Sequence, residues 1–176
     1  MPQLASNLPL LHSICLQNSA DICVVNQFKE NKFYKMETHE KKVITIESTI
    51  NAPVEKVWEF WTKPEHIVKW NHASDDWHSP WSKNDLRVGG SFSARMEAKD
   101  GSTGFDFGGV YDAVREHQYI EYTLGDERKV KVDFASQGNA TKVVESFEAE
   151  NTHSLEMQRT GWQAILDNFK KYTEKN

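Results

Sequence analysis

The sequence predicts an α+β domain in which an antiparallel meander bends around one long C-terminal helix. Three observations in its 176 residues carry that prediction. A β-branched, alternating run occupies residues 42–50. From Leu86 to about Ala149 apolar residues recur with the strand period of two. From Leu155 to Tyr172 the period becomes that of a helix.

In "KVITIESTI" the residues Val43, Thr45, Glu47 and Thr49 alternate with Ile44, Ile46, Ser48 and Ile50, which predicts a half-buried strand. In "NAPVEKVWEFWTKPEH", Pro53 suits a helix start, and Val54, Val57, Trp58 and Trp61 share one helical face. Pro64 ends that helix and begins a shorter one. Phe92, Ala94 and Met96 then share a strand face, as do Phe105, Phe107, Gly109 and Tyr111, and later Val130, Val132 and Phe134. Turn residues in "AKDGSTG", "LGDER" and "SQGNAT" separate these runs at hairpin distances, so neighbouring strands pair antiparallel. Gly108 and Gly109 sit in mid-strand and predict a bulge or a sharp bend. The last helix carries Leu155, Gln158, Trp162, Ile165, Leu166, Phe169 and Tyr172 along one stripe. Gly161 costs that helix about 1 kcal/mol relative to Ala, which suggests close approach to the sheet or room for a ligand.

Composition removes several function classes. Lys and Arg number 21 against 26 Asp and Glu, for a net charge of −5, which gives nucleic-acid phosphates little to hold. No apolar run reaches the roughly 20 residues that span a bilayer. Cys15 and Cys23 are the two cysteines, too few for a disulfide framework or a Cys-based zinc site. "LPLLHSICL" has the apolar character of an export leader but no basic flank before it, the first Lys being Lys29. The reading is therefore cytoplasmic, with residues 1–35 an irregular extension, Met36 a candidate start, and 36–176 the domain.

The element order, together with "INAPVEKVWEFWTKPEHIVKW", "NDLRVGGSF" and "GWQAILDNF", resembles the START-like (SRPBCC) superfamily. The branch it is most similar to is that of the C-terminal domain of activator of heat-shock protein 90 ATPase, which also holds the calicheamicin-resistance type. The resemblance covers residues 43–174. It implies a helix-grip fold: a curved antiparallel sheet of six to seven strands around the last helix, with two short helices closing a cavity between them. Members bind small hydrophobic molecules, act on them, or serve as co-chaperone modules, and fold alone does not choose.

One stretch, "KWNHASDDWHSPW" at residues 69–81, is aromatic and acidic at once. As a metal site, His72, Asp75, Asp76 and His78 offer ligands, but their spacing matches no helical zinc pattern and no distant ligands join them. As an acid/base site, His72 or His78 beside Asp75 lacks an accompanying nucleophile motif. As a wall it fits better: five of the six Trp (Trp58, Trp61, Trp70, Trp77 and Trp81) fall within 24 residues of the region that closes the family's cavity. Trp58 and Trp162 serve equally well as plain core.

The expected ligand-binding residues are accordingly Trp61, Trp70, His72, Asp75, Trp77, His78, Phe92, Met96, Phe107, Tyr111, Gln158, Trp162 and Ile165, with no catalytic or metal-binding residue and no cofactor. Gln158 either meets a ligand or bonds the backbone. Three functions stand open. One is a non-enzymatic binder of a small hydrophobic molecule, monomeric or dimeric, without nucleic acid or membrane. The second is a heat-shock-protein-90 co-chaperone module, which the short N-terminal extension argues against because true activators carry a separate domain there of at least ~50 residues. The third is a cyclase- or dehydratase-like enzyme, which requires a His/Asp pair aimed into the cavity.

Overall fold

The computed structural model describes residues 41–176. The expectations for residues 1–35, including Cys15 and Cys23, lie outside the described residues, as does Met36.

The described chain runs β1 (Val43–Ile50), α1 (Val54–Thr62), α2 (Pro64–Trp70), β2 (Trp77–His78), β3 (Ser82–Asn84), β4 (Ser91–Ala98), β5 (Gly104–Arg115), β6 (Tyr119–Leu124), β7 (Lys129–Gln137), β8 (Ala140–Glu148) and α3 (Leu155–Lys175). All pairings are antiparallel, and the sheet order is β1-β8-β7-β6-β5-β4 with β2 beyond. The short strands β2 and β3 lie end to end along β4, pairing Trp77 with Ala98 and Ser82 with Ala94. Eight strands thus fill seven positions, and the sheet curls as a half-barrel around α3. This is the helix-grip arrangement.

Local chemistry explains the elements. Pro53 caps α1, and Pro64 is the first residue of α2, where its missing N–H costs nothing. Lys63, extended at φ −82° and ψ 128°, is both the end of one helix and the start of the next. At the start of α3 the Ser154 hydroxyl accepts from the Met157 amide at 3.1 Å. Strand faces follow the alternation: Ile44, Ile46 and Ile50 of β1, Val130, Val132 and Phe134 of β7, and Val143 and Phe147 of β8 all point inward onto Leu166 and Phe169 of α3. Each such side chain, once fully buried, stabilises the fold by about 1.5–3 kcal/mol.

Four details differ from expectation. Gly108 and Gly109 pair regularly with Ser93 and Phe92, and the register shift falls later, between Tyr111 and Ala113. The glycines are needed for another reason: a Cβ at 108 would lie 2.6 Å from the Phe92 carbonyl oxygen, and one at 109 would strike the Thr123 carbonyl. Gly161 is not at a close approach, since a Cβ there meets open space. Leu155, at the head of the predicted stripe, is 41% exposed. Finally, the β5–β6 turn contains no Gly, Pro, Asn or Asp; His117 supplies its left-handed residue at φ 61°.

Candidate functional site

Between the curled sheet and α3 lies a cavity of about 330 Å³. Period-two strands aim Phe92, Ala94 and Met96 of β4, Phe105, Phe107 and Tyr111 of β5, and Ile120 and Tyr122 of β6 into it. The facing stripe of α3 supplies Gln158, Trp162, Ile165 and Leu166, and the two short helices close one end with Trp61, Ile67 and Trp70. Asn71, Ser82, Arg128, Glu145, Glu150 and His153 complete the wall.

The aromatic rings hold one another in place. Trp162 stacks on Phe147 with centroids 4.0 Å apart and planes 13° from parallel. It also meets Phe107 edge-on at 5.8 Å. Trp61 packs between Trp70 (5.3 Å) and Phe169 (4.9 Å). The indole N–H of Trp70 donates to the Phe60 carbonyl at 3.0 Å, so its polar edge is used and its ring faces the interior.

Few polar groups converge here, and most are engaged elsewhere. Tyr111 donates its hydroxyl to Asn84 Oδ1 at 2.8 Å, and Asn84 in turn donates to the Thr62 carbonyl at 2.6 Å, which ties β5 to α1. Burial pushes the Tyr111 hydroxyl pKa up. The Gln158 amide is saturated by backbone: it accepts from the Glu150 N–H at 2.9 Å and donates to the carbonyls of Glu150 (3.1 Å) and His153 (2.9 Å). Of its two expected roles, the structure gives the backbone one. Arg128 directs its guanidinium to Asp126 (2.8 Å) and to the Glu148 carbonyl (3.2 Å).

Glu145 is different. Its side chain lies on the inward face of β8, the residue is 5% exposed, and its hydrogen bond is one from the Tyr122 hydroxyl at 3.5 Å. Burial raises its pKa from 4.5 to about 8. Burial, and then the neighbouring Glu145, likewise raise Tyr122 well above 10.

Nine of the thirteen residues expected from sequence stand in this wall: Trp61, Trp70, Phe92, Met96, Phe107, Tyr111, Gln158, Trp162 and Ile165. The other four, His72, Asp75, Trp77 and His78, do not, so most of the stretch at 69–81 is no wall of this cavity. Trp70, which does stand in the wall, ends α2. Trp77 reaches only the lip, 6.1 Å from the ring of Phe105. His78 lies on the opposite face of the sheet edge, where its Nε2 sits 3.2 Å from Glu97, itself bound to Arg95 at 3.0 Å. Asp75 is exposed. The backbone carbonyl of His72 accepts from Asn168 of α3 at 2.7 Å, while its Nδ1 is buried with no hydrogen-bond partner among the described residues. Burial, then the charge of Lys99, lowers the His72 pKa.

No His/Asp pair from this stretch converges on the cavity. A different pair does touch its wall: His153 Nδ1 lies 2.8 Å from Glu150 Oε1, with the imidazole side chain 57% exposed, at the mouth. Among the described residues, no group of three or more His, Cys, Asp or Glu is placed to hold a metal ion. No described helix is long and apolar enough to cross a membrane.

Sequence reasoning missed Tyr122, Glu145 and Arg128. A clue to Glu145 was present: it shares parity with Thr141, Val143 and Phe147, all buried, so alternation alone places a carboxyl indoors.

Comparisons agree with this geometry. The family model of the Activator of Hsp90 ATPase homolog 1-like protein matches residues 51–174. The solution structure of an AHSA1-like protein from Aeromonas hydrophila is 46% identical, covers 76% of this chain and 93% of its own, and superposes with a TM-score of 0.72. A Cytophaga hutchinsonii protein solved in solution is 55% identical over 76% of this chain and 92% of its own, with a TM-score of 0.66. A Chromobacterium violaceum protein at 20% identity, covering 77% of this chain and 99% of its own at a TM-score of 0.69, shares the fold. No curated protein matches the chain. With a family model spanning most of its length and two solved relatives near half identity, the chain belongs to the Activator of Hsp90 ATPase homolog 1-like protein family.

Proposed function

We propose that this chain is a non-catalytic binding protein for one small, mainly apolar molecule, held between the sheet and α3. The cavity itself carries the reading: about 330 Å³ walled by Trp61, Trp70, Phe92, Phe107, Tyr111, Tyr122 and Trp162. Ligand sites are typically concave, apolar and aromatic, with a few convergent polar groups that fix orientation.

Titration of the full chain with isopropylnaphthalene, followed through tryptophan emission, tests this reading. Saturable one-to-one binding is expected, and Ala94→Trp, which fills the cavity from β4, should abolish it. Binding that survives Ala94→Trp would place the site elsewhere.

A further inference from the structure

Glu145 is the group that the cavity description leaves without a task. Its neighbours across the sheet are Ile46 on β1 and Val132 on β7, both buried and apolar. No Lys, Arg or His forms an ion pair with it among the described residues. The titratable groups that share its cavity are Tyr122 of β6, Tyr111 of β5, Arg128 in the β6–β7 turn, and Glu150 and His153 before α3. Arg128 is committed to Asp126 and to the Glu148 carbonyl, and Glu150 to the backbone of Thr152 and His153. The α3 side of the cavity contributes Gln158, Trp162, Ile165 and Leu166, none of them charged.

A carboxylate without a counter-charge in such surroundings is costly by several kcal/mol, so the group is held as the neutral acid. Donor counting then decides what it lacks. A neutral carboxyl and a phenol each bring one O–H donor. Their mutual contact, 3.5 Å and at the limit for a hydrogen bond, satisfies at most one of the two. The Tyr111 hydroxyl is already spent on Asn84 and the Gln158 amide on backbone. One buried donor is therefore left facing the cavity, and what it lacks is an acceptor.

We propose that Glu145, as a neutral acid beside Tyr122, is the hydrogen-bond-donating anchor of the cavity and selects apolar ligands that carry an uncharged acceptor oxygen such as a carbonyl. The inference rests on the cavity being the binding site. A hydrocarbon of the same shape leaves the donor unmet, and an organic ammonium requires the carboxylate that the surroundings disfavour.

The test compares acetylnaphthalene with isopropylnaphthalene, nearly equal in shape, on the wild-type chain and on Glu145→Gln and Glu145→Leu, from pH 6 to 9.5. At pH 6.5 the ketone should bind the wild type about tenfold more tightly, the worth of one well-made hydrogen bond. That preference should fall away as pH rises through about 8, where the acid loses its proton. Glu145→Gln, whose amide still donates, should keep the preference at every pH. Glu145→Leu should remove the preference while isopropylnaphthalene still binds. An inflection near pH 8 that persisted in Glu145→Gln would belong to another group and would overturn the proposal. Equal binding of the two compounds by the wild type would sink the anchor and leave the cavity standing. Failure of both compounds to bind would remove the cavity reading and the anchor together.

Discussion

The Glu145 carboxyl meets the Tyr122 hydroxyl at 3.5 Å across two strands, and neither group has a charged partner at hydrogen-bond distance among the described residues. A carboxyl raised from 4.5 to about 8 binds its proton more tightly folded than unfolded. Its contribution to stability is therefore fully present below about pH 4.5 and lost progressively as pH rises towards about 8. Relative to Glu145→Gln, which cannot titrate, the wild type should weaken by about 1.4 kcal/mol per pH unit within that window. Urea unfolding of both proteins at pH 5, 6.5 and 8 measures the difference. Parallel stability curves would show that the carboxyl is solvated.

Trp70 and Trp77 lie seven residues apart in sequence and differ sharply in place. Trp70 is 6% exposed, packed edge-on against Phe169 at 4.8 Å. Trp77 sits half-exposed on a two-residue edge strand. Trp70→Ala should therefore cost about 3–5 kcal/mol, as expected for a buried aromatic. Trp77→Ala should cost less than about 1.5 kcal/mol, nearer to a surface change. Thermal and urea melts of the two variants check the order; equal losses would contradict it.

Two glycines should respond in opposite directions. Gly161 lies inside α3 facing open space, so Gly161→Ala should stabilise by about 0.4–1 kcal/mol through helix propensity and a less flexible unfolded chain. Gly109→Ala drives a Cβ into the Thr123 carbonyl and within 3.1 Å of the Phe92 ring. A loss of about 1–3 kcal/mol is expected there. Stabilisation of Gly109→Ala would mean that β5 and β6 are less tightly coiled than described.

Where a regular period existed, the site was legible. Phe92, Ala94 and Met96 were placed on one face by alternation alone, as were Trp162, Ile165 and Leu166 by helical spacing, and all six reach the cavity. Residues 72–81 were harder to place, because an irregular connection has no period to say which way a side chain points, and aromatic density was read in its place. Four residues expected at the site, His72, Asp75, Trp77 and His78, stand outside the cavity wall on that account. Glu145 failed for the opposite reason: its position was readable, but a charged residue in "VVESFE" is ordinarily assigned to the wet face of a strand. The His117 turn was overlooked because residues 115–118 contain no Gly, Pro, Asn or Asp, the residues from which turns were read, although His also tolerates the left-handed region.

The six tryptophan indole N–H resonances of the ¹⁵N-labelled chain provide the most direct test of where a ligand sits. Trp61, Trp70 and Trp162 line the cavity, whereas Trp77 lies at its lip and Trp81 outside. On titration with acetylnaphthalene the first three signals should shift and saturate together, with that of Trp81 unmoved. Shifts confined to Trp77 and Trp81, with Trp61 and Trp162 unchanged, would place binding on the outer stretch and contradict a site between the sheet and α3.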